Sequence, residues 1–205
     1  MRNLLTGSQM RAIEQDTIQN IGIPSLMLIE RAAECVARKA EQLCDQITLQ
    51  ILAICGVGNN GADGVAAARM LYLHGFDVLV VVVGNEAHAT KEFEVQKGIA
   101  EKLEIPVVDW EHFLHGEDEQ KAGDCAIIDA VFGVGLSRDV EGTYAEALDW
   151  INKAETEWVL AVDMPSGIHS DTGAVMGTAV KADVTVTFGY EKMGSALYPG
   201  RGYCG

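Results

Sequence analysis

The chain has 205 residues, of which 48% are hydrophobic, and it carries 30 acidic against 15 Lys and Arg side chains, a formal net charge of −15. This length and composition are typical of one globular domain and exclude a disordered or collagen-like chain. The negative charge argues against a nucleic-acid partner, although a helix N-terminus can still hold a small anionic ligand.

Cysteine usage and the chain start bear on the cellular compartment. The five cysteines form no C-x-x-C pair, and their odd number favours a reducing compartment over a disulfide framework. The opening residues are polar and charged, unlike a signal peptide, and no apolar run reaches the ~18 residues of a membrane span. We therefore expect a cytoplasmic protein that does not bind membranes.

Helical and strand-like patterns alternate along the chain. Residues 7–19 predict a helix capped by Ser8, and Pro24 opens a second helix that ends near Leu43. Further helices are predicted over residues 61–74, 91–103 and 143–154, and strands over residues 49–55, 77–83, 105–108, 126–131, 159–162 and 184–188. Apolar strands alternating with helices predict an α/β domain with a parallel sheet covered on both faces. The charged residues 112–123 are expected to be flexible.

The loop after the first of these strands reads GVGNNGADG over residues 56–64. Glycines allow close approach of the backbone to a ligand, and the amides of a helix start attract phosphate. Residues 56–61 match G-x-G-x-x-G, but Asp77 begins the second strand and Glu86 lies well past its end, so the dinucleotide fingerprint is imperfect. We interpret the loop as a ligand-binding loop rather than a capped turn.

Two acids lie in or at the end of later strands. Asp129 lies inside an apolar strand, where it needs a cation, a proton or hydrogen-bond donors, which backbone amides can also supply. Asp163 ends another strand and precedes a Pro and Gly turn, where it functions either in the site or as an Asx turn residue. Arg138 either reaches a phosphate or is a solvated loop charge. Loops at one sheet edge favour a shared site.

Metal-ligating patterns are limited. Asn60, Asp129 and Ser166 would supply oxygen ligands, which suit a hard cation. His112 and His115 stand three residues apart on a predicted helix without further ligands, so we place them on a solvated face.

In five segments the chain resembles the NAD(P)HX epimerases, also called the YjeF N-terminal domain family. These segments are LTGSQMRAIEQDTIQNIGIPSLMLIERAA, GVGNNGADG, IIDAVFGVGLSRDVEG, DMPSGIHSDTG and KADVTVTFGYEKMG, in the family's order from residue 5 to about residue 200. The resemblance implies a Rossmann-like three-layer α/β/α sandwich with a mostly parallel sheet, found as a homodimer. It implies epimerisation between the R and S forms of hydrated NADH and NADPH, a repair of nicotinamide cofactors.

The resemblance also implies roles for particular residues. A potassium ion would be held by Asn60, Asp129 and Ser166. Contacts with the substrate would come from Asn59, Asn60, Gly61, Ala62, Asp63, Gly133, Val134, Gly135, Leu136, Ser137, Arg138, Asp139 and Asp163. A companion ADP- or ATP-dependent dehydratase would act on the S form, either as a separate protein or as a domain fused behind this one.

Two departures from the family pattern stand out. Ala62 replaces a glycine common in the family's loop, and its methyl group would crowd a phosphate if it faced the ligand. The sequence stops at Gly205, where the family continues with another strand and helix, so we expect residues 1–205 to form a single domain that lacks those elements.

Inversion of the hydrated carbon requires the hydroxyl to leave and return, or the ring to open and reclose, and either route moves a proton. Asp163 is our candidate for this transfer. Lys192 is a second candidate, with a surface lysine as the alternative interpretation. Two other functions remain open, an NAD-dependent dehydrogenase and a non-catalytic nucleotide-binding dimerisation module.

Overall fold

A six-stranded parallel sheet forms the centre of the computed structural model, which describes residues 3–44, 49–116 and 125–205. The strand order across this sheet is β4-β3-β2-β5-β6-β7. The strands are β2 Gln50–Gly56, β3 Val78–Val83, β4 Val107–Asp109, β5 Cys125–Ala130, β6 Thr156–Val162 and β7 Val184–Val186. A second sheet pairs β1 Leu4–Leu5 with β8 Glu191–Lys192 in parallel.

Helices cover both faces of the large sheet. They are α1 Gly7–Asp16, α2 Ser25–Leu43, α3 Asn59–Leu73, α4 Lys91–Lys102, α5 Trp110–His115, α6 Gly142–Lys153 and α7 Met193–Ala196. The buried residues of α2, α3 and α4 pack with Ile51, Ala53 and Cys55 of β2, whereas those of α5 and α6 pack with Leu52 and Ile54. Successive strand residues point to opposite faces, so an unbroken apolar run is what a strand covered on both sides requires.

The predicted three-layer α/β/α fold is confirmed, and the strand order locates the ligand crevice. The first strand of the large sheet, β2, lies between β3 and β5, so the chain winds outward in one direction and then in the other. This is the doubly wound order, in which ligands bind outside the carboxyl ends of the strands where the winding reverses. The loops after β2, β5 and β6 therefore border the crevice.

The beginning of the chain differs from the sequence prediction. The sequence predicts Ser8 as the cap of α1, but the cap is Thr6. The Thr6 hydroxyl accepts a hydrogen bond from the Gln9 amide, and Gln9 Oε1 accepts one from the Thr6 amide. Thr6 is one turn ahead of the residue whose amide it must reach, which is the capping-box spacing. Residues 17–21 continue the helix as a π-helical turn, which ends at Gly22.

Other elements agree with the sequence to within a few residues, and the exceptions are short. The two-residue strands β1 and β8 were not predicted. His112 and His115 lie on α5 and are exposed, as expected. Residues 112–115 are helical rather than flexible, and residues 117–123 of that stretch lie outside the described residues. No helix in the described ranges is long and apolar enough to cross a membrane.

Candidate active site

Glycines press the start of α3 against the ends of two central strands. A Cβ at Gly61 would collide with the Gly56 carbonyl oxygen, and one at Gly64 would collide with the Ala130 side chain. This close approach fixes the first turn of α3 directly above β2 and β5. Its first amides have no acceptor within the helix and are directed at the crevice, a geometry suited to phosphate.

Ala62 faces away from this crevice. Its side chain is fully buried in the core between the sheet and α2–α4, and its amide donates to the Gly58 carbonyl at 3.0 Å. The methyl group that replaces the family's glycine therefore cannot crowd a ligand. Any contact of Ala62 with the substrate is limited to its backbone near the helix start.

Asn60 reaches from α3 to the loop after β5. Its Oδ1 lies 2.8 Å from the position that a Cβ at Gly133 would occupy, so Gly133 leaves the space that the amide fills. The Nδ2 atom of Asn60 is buried and has no hydrogen-bond partner in the described parts of the chain. This N–H donor faces the crevice loop and is available to a hydrogen-bond acceptor such as water or a ligand oxygen.

Asp129 is fully buried at the end of β5. Its carboxylate accepts hydrogen bonds from the Ser166 amide at 2.8 Å, the Ser166 hydroxyl at 2.6 Å and the Val131 amide at 3.3 Å. Burial raises the pKa of Asp129 to about 6, against the opposing effect of these hydrogen bonds. No Lys or Arg forms an ion pair with it within residues 3–44, 49–116 and 125–205.

Ser166 links the loops after β5 and β6. Its hydroxyl donates to Asp129 and accepts from the Phe132 amide at 2.8 Å. Asn60, Asp129 and Ser166, here called the oxygen cluster, therefore surround the Phe132–Gly133 backbone from three elements. No cluster of three or more His, Cys, Asp or Glu side chains suited to a metal occurs in the described chain.

Asp163 and Lys192 form a buried ion pair at the end of β6. The Lys192 ammonium is 1% exposed and donates to the Asp163 carboxylate, to Thr187 Oγ1 at 2.8 Å and to the Phe188 carbonyl at 3.0 Å. These three bonds use all the protons of an ammonium group. The interpretation of Lys192 as a surface residue is therefore wrong, because β8 turns it inward beside β1.

The Asp163 backbone is strained. It adopts φ +66°, a left-handed conformation that non-glycine residues rarely adopt. Its amide donates to the Val186 carbonyl at 2.8 Å, and its carboxylate also accepts from the Thr187 hydroxyl and the Phe188 amide, each at 3.3 Å. Neighbouring β7 therefore holds the residue in this conformation, which aims the carboxylate along the sheet edge. Strain of this kind is concentrated at functional sites.

Two further carboxyls, without partners of their own among the described residues, lie near enough to Asp163 to interact with its charge. Asp63 lies one turn after Asn60 on α3, and Glu14 lies on α1; neither has a hydrogen bond or an ion pair among the described residues. Burial, followed by the nearby charges of Asp163 and Glu14, holds the pKa of Asp63 well above its usual range. Burial and then the charge of Asp163 likewise raise the pKa of Glu14.

Glu14 is not among the site residues predicted from the sequence, in which α1 is only a predicted helix. A signal was available, since Gly7, Met10, Arg11 and Glu14 have the spacing of one helix face. The sequence alone does not reveal which part of the molecule that face covers.

The loop after β5 supplies the remaining predicted contacts. Gly135, Ser137, Arg138 and Asp139 are exposed at the sheet edge, whereas Leu136 is buried in the core and presents no side chain to a ligand. Arg138 is close enough to Tyr144 to oppose the rise that burial causes in the pKa of that phenol.

The acids that a dinucleotide-binding dehydrogenase would use are unsuitable. Asp77 precedes β3 at the opposite edge of the sheet, where its carboxylate accepts from Gln50 at 3.2 Å. Glu86 follows β3 but forms an ion pair with Lys97 at 2.6 Å. The G-x-G-x-x-G match therefore lacks the ribose-binding acid of that fingerprint.

Comparison with known proteins shows which family and which proteins the chain is similar to. The profile of the family described as "YjeF-related protein N-terminus" matches residues 25–194. A protein named NAD(P)H-hydrate epimerase from Limosilactobacillus fermentum is 46% identical over 98% of the chain and 92% of its own length. One of the same name from Oenococcus oeni is 40% identical with the same coverage of both chains.

Two other similarities concern domain arrangement and fold. A bifunctional NAD(P)H-hydrate repair enzyme from Thermofilum pendens is 38% identical over 94% of this chain, which corresponds to 37% of that longer protein. The crystal structure of a yeast protein superposes with a TM-score of 0.83, covering 95% of this chain and 83% of the yeast chain at 20% identity. At that identity, the second similarity concerns the fold alone.

Proposed function

The chain belongs to the YjeF-related N-terminal domain family, and from this premise we propose that it works as an NAD(P)H-hydrate epimerase at the crevice described above. It interconverts the R and S forms of hydrated NADH and NADPH, and so contributes to the repair of nicotinamide cofactors. The observation that carries the assignment to this site is the buried Asp163–Lys192 ion pair at the carboxyl edge of the sheet, beside two carboxyls without partners.

Asp163 is the proposed base. The Asp163 carboxylate, held in place by Lys192, can accept a proton from the hydroxyl of the hydrated carbon or from a returning water. Its negative charge also stabilises the positive charge that develops on the ring when the hydroxyl leaves. Lys192 acts through Asp163, because its three bonds leave it no proton to direct at a ligand.

The diphosphate of the substrate is proposed to lie over the first turn of α3. The amides of Asn59, Asn60 and Gly61 would bind its oxygens, and the exposed Arg138 would compensate part of its charge. These local groups allow an anion to bind to a protein whose net charge is −15. The nicotinamide end would then extend towards Asp63 and Asp163.

A potassium ion is proposed at the oxygen cluster. Asn60 Oδ1, the Asp129 carboxylate and the Ser166 hydroxyl offer the oxygen ligands that suit an alkali cation, and the buried Asp129 carboxylate has no Lys or Arg partner among the described residues. When bound, the ion would neutralise Asp129 and hold the loops after β2, β5 and β6 in register.

The proposed biological setting follows the family. We expect a cytoplasmic homodimer that works with an ADP- or ATP-dependent dehydratase. The longer repair enzyme of Thermofilum pendens, in which a matching segment makes up 37% of the length, supports that partnership.

The experiment that tests the function uses a mixture of R- and S-NADHX with excess S-specific dehydratase and its nucleotide. Recovery of NADH absorbance proceeds in a fast phase from the S form and a slow phase limited by spontaneous epimerisation of the R form. We expect the protein to make the slow phase fast. An unchanged slow phase with well-folded protein would remove the enzymatic assignment.

A further inference from the structure

Helix α1 covers the edge of the active site. The parallel pairing of β1 with β8 places Leu5 beside Lys192, and α1 starts two residues later at Gly7. The Gly7 amide donates to Asp171 Oδ1 at 2.6 Å, in the segment that follows Ser166. The N-terminal segment is thus attached to the two elements that carry Lys192 and Ser166.

Further contacts attach the same helix face to the other loops. Arg11 Nη1 donates to the Val134 carbonyl at 2.8 Å, in the loop after β5. A Cβ at Gly189 would come 3.1 Å from Met10 Cε, so Met10 lies against the turn between β7 and β8. The contacts of Gly7, Met10 and Arg11 therefore join one side of α1 to the segment after Ser166, the turn before β8 and the loop after β5.

Glu14 lies on this same face. It follows Met10 by four residues and Arg11 by three, which places the three side chains on one side of the helix. Glu14 is half-buried, whereas Ile13 and Gln15 on either side of it are exposed. Its carboxyl has neither a hydrogen bond nor an ion pair within the described ranges of the chain.

The charges around Glu14 come from four elements. Asp163 lies after β6, Lys192 on β8, Glu92 on α4 and Asp63 on α3, and of these only Lys192 is positive. Lys192 is already paired with Asp163, and Glu92 accepts a hydrogen bond from Ser25 at 2.7 Å. A carboxyl surrounded by like charges retains its proton more readily than one in water.

We propose that Glu14 is a further catalytic residue, the general acid that faces the Asp163–Lys192 pair from the N-terminal helix. The proposal rests on the epimerase function. Glu14 lies outside the part of the chain that the family profile matches. Burial of the carboxyl among like charges favours the protonated form that an acid requires.

The reaction balances with these two carboxyls. Glu14 gives its proton to the hydroxyl oxygen. The carbon–oxygen bond then breaks, and the electron pair of that bond leaves with the water molecule that forms. The lone pair of the adjacent ring nitrogen forms a carbon–nitrogen double bond. Water then attacks the other face, the π electrons return to nitrogen, and Asp163 takes the proton. Proton exchange with solvent returns Asp163 to the carboxylate and Glu14 to the acid. The reverse reaction runs these steps backwards, with Asp163 in its protonated form as the acid and Glu14 in its carboxylate form as the base, each reached by proton exchange with solvent.

The test compares Glu14→Gln with Asp16→Asn, in which an exposed carboxylate on the same helix is neutralised. Kinetics are measured in the dehydratase-coupled assay across pH. We expect kcat of Glu14→Gln to fall by about 10²-fold or more, with KM little changed. The decline of wild-type kcat/KM as pH rises through the raised pKa of Glu14, where the acid is deprotonated, should disappear. Asp16→Asn should retain wild-type kinetics.

Stability distinguishes this role from a structural one. The folded-state pKa of Glu14 is raised, so its contribution to stability decreases as pH rises from 4.5 through that raised value. Glu14→Gln removes this unfavourable charge and should therefore leave Tm at neutral pH equal to or above the wild-type value. If the wild type is active and Glu14→Gln is equally active, the assignment of Glu14 as the acid is overturned and the proposed function is not. The same holds if Glu14→Gln loses activity together with a lower Tm than the wild type. An inactive wild type would instead overturn the proposed function.

Discussion

At the level of single residues, the site depends on where charge is buried. Asp129 and Asp163 are both buried acids at strand ends, yet one is satisfied by hydrogen bonds and the other by an ammonium group. Isolated buried charges are costly, so each carboxylate must have compensation. The charge of Lys192 compensates Asp163, whereas the hydrogen bonds to Asp129 from Ser166 and Val131 bring no positive charge to it.

The sequence was sufficient to identify these acids but not their partners. An acid in or after an apolar strand can be recognised from the pattern, and Asp129 and Asp163 were identified that way. The burial of Lys192 depends on the pairing of β1 with β8, in which residues almost 190 positions apart are neighbours. Such pairing has no local signature, so the alternative of a surface lysine could not be dismissed.

The oxygen cluster predicts that potassium stabilises the protein. A ligand that binds only the folded state stabilises it by RT ln(1 + L/Kd), where L is the free ligand concentration, so Tm rises with that concentration. Compared with choline at the same ionic strength, potassium should raise the Tm of the wild type. Asp129→Asn should abolish that rise, whereas Asp139→Asn, which neutralises an exposed carboxylate in the nearby loop, should retain it. Equal Tm values for the wild type in both salts would argue against a potassium site.

At the level of elements, the start of α3 and the whole of α1 determine the shape of the crevice. The four glycines within nine residues before α3 predict a ligand-binding loop, and in the structure two of them, Gly61 and Gly64, allow the start of α3 to pack closely against β2 and β5. The inward orientation of the Ala62 side chain was not predictable, because it depends on how α3 is rotated about its axis relative to the sheet. Helix α1 was predicted as a helix, but its position over the site follows only from tertiary contacts.

The packing of α3 predicts different effects on stability for alanine substitutions at Gly61 and Gly58. Gly61→Ala should lower stability by about 1–3 kcal/mol, the usual cost of overpacking, because the methyl group meets the Gly56 backbone. For a chain of this size that is a Tm decrease of ~2–4 °C per kcal/mol. Gly58→Ala is the matched control, since a Cβ at Gly58 meets nothing within 4 Å. Equal thermal stability of the two variants would contradict the described packing.

At the level of the whole molecule, the doubly wound sheet brings separate loops to one edge. The order β4-β3-β2-β5-β6-β7 places the carboxyl ends of β2, β5 and β6 side by side. The N-terminal segment then closes this edge from outside through the small second sheet. Alternation of strands and helices predicted the fold class, but not the strand order, which depends on how each crossover packs.

The central claim is that epimerisation occurs at the Asp163–Lys192 pair, and Asp163→Asn tests it most directly in the dehydratase-coupled assay. Asparagine has a similar shape and tolerates the positive φ of this position. Since an unpaired Lys192 costs about 3–5 kcal/mol, Asp163→Asn is measured beside a double variant with Lys192→Gln, which removes both charges. We predict that the folded single and double variants leave the slow phase of NADH recovery unchanged, while the wild type makes it fast. A fast phase with either folded variant would contradict the assignment.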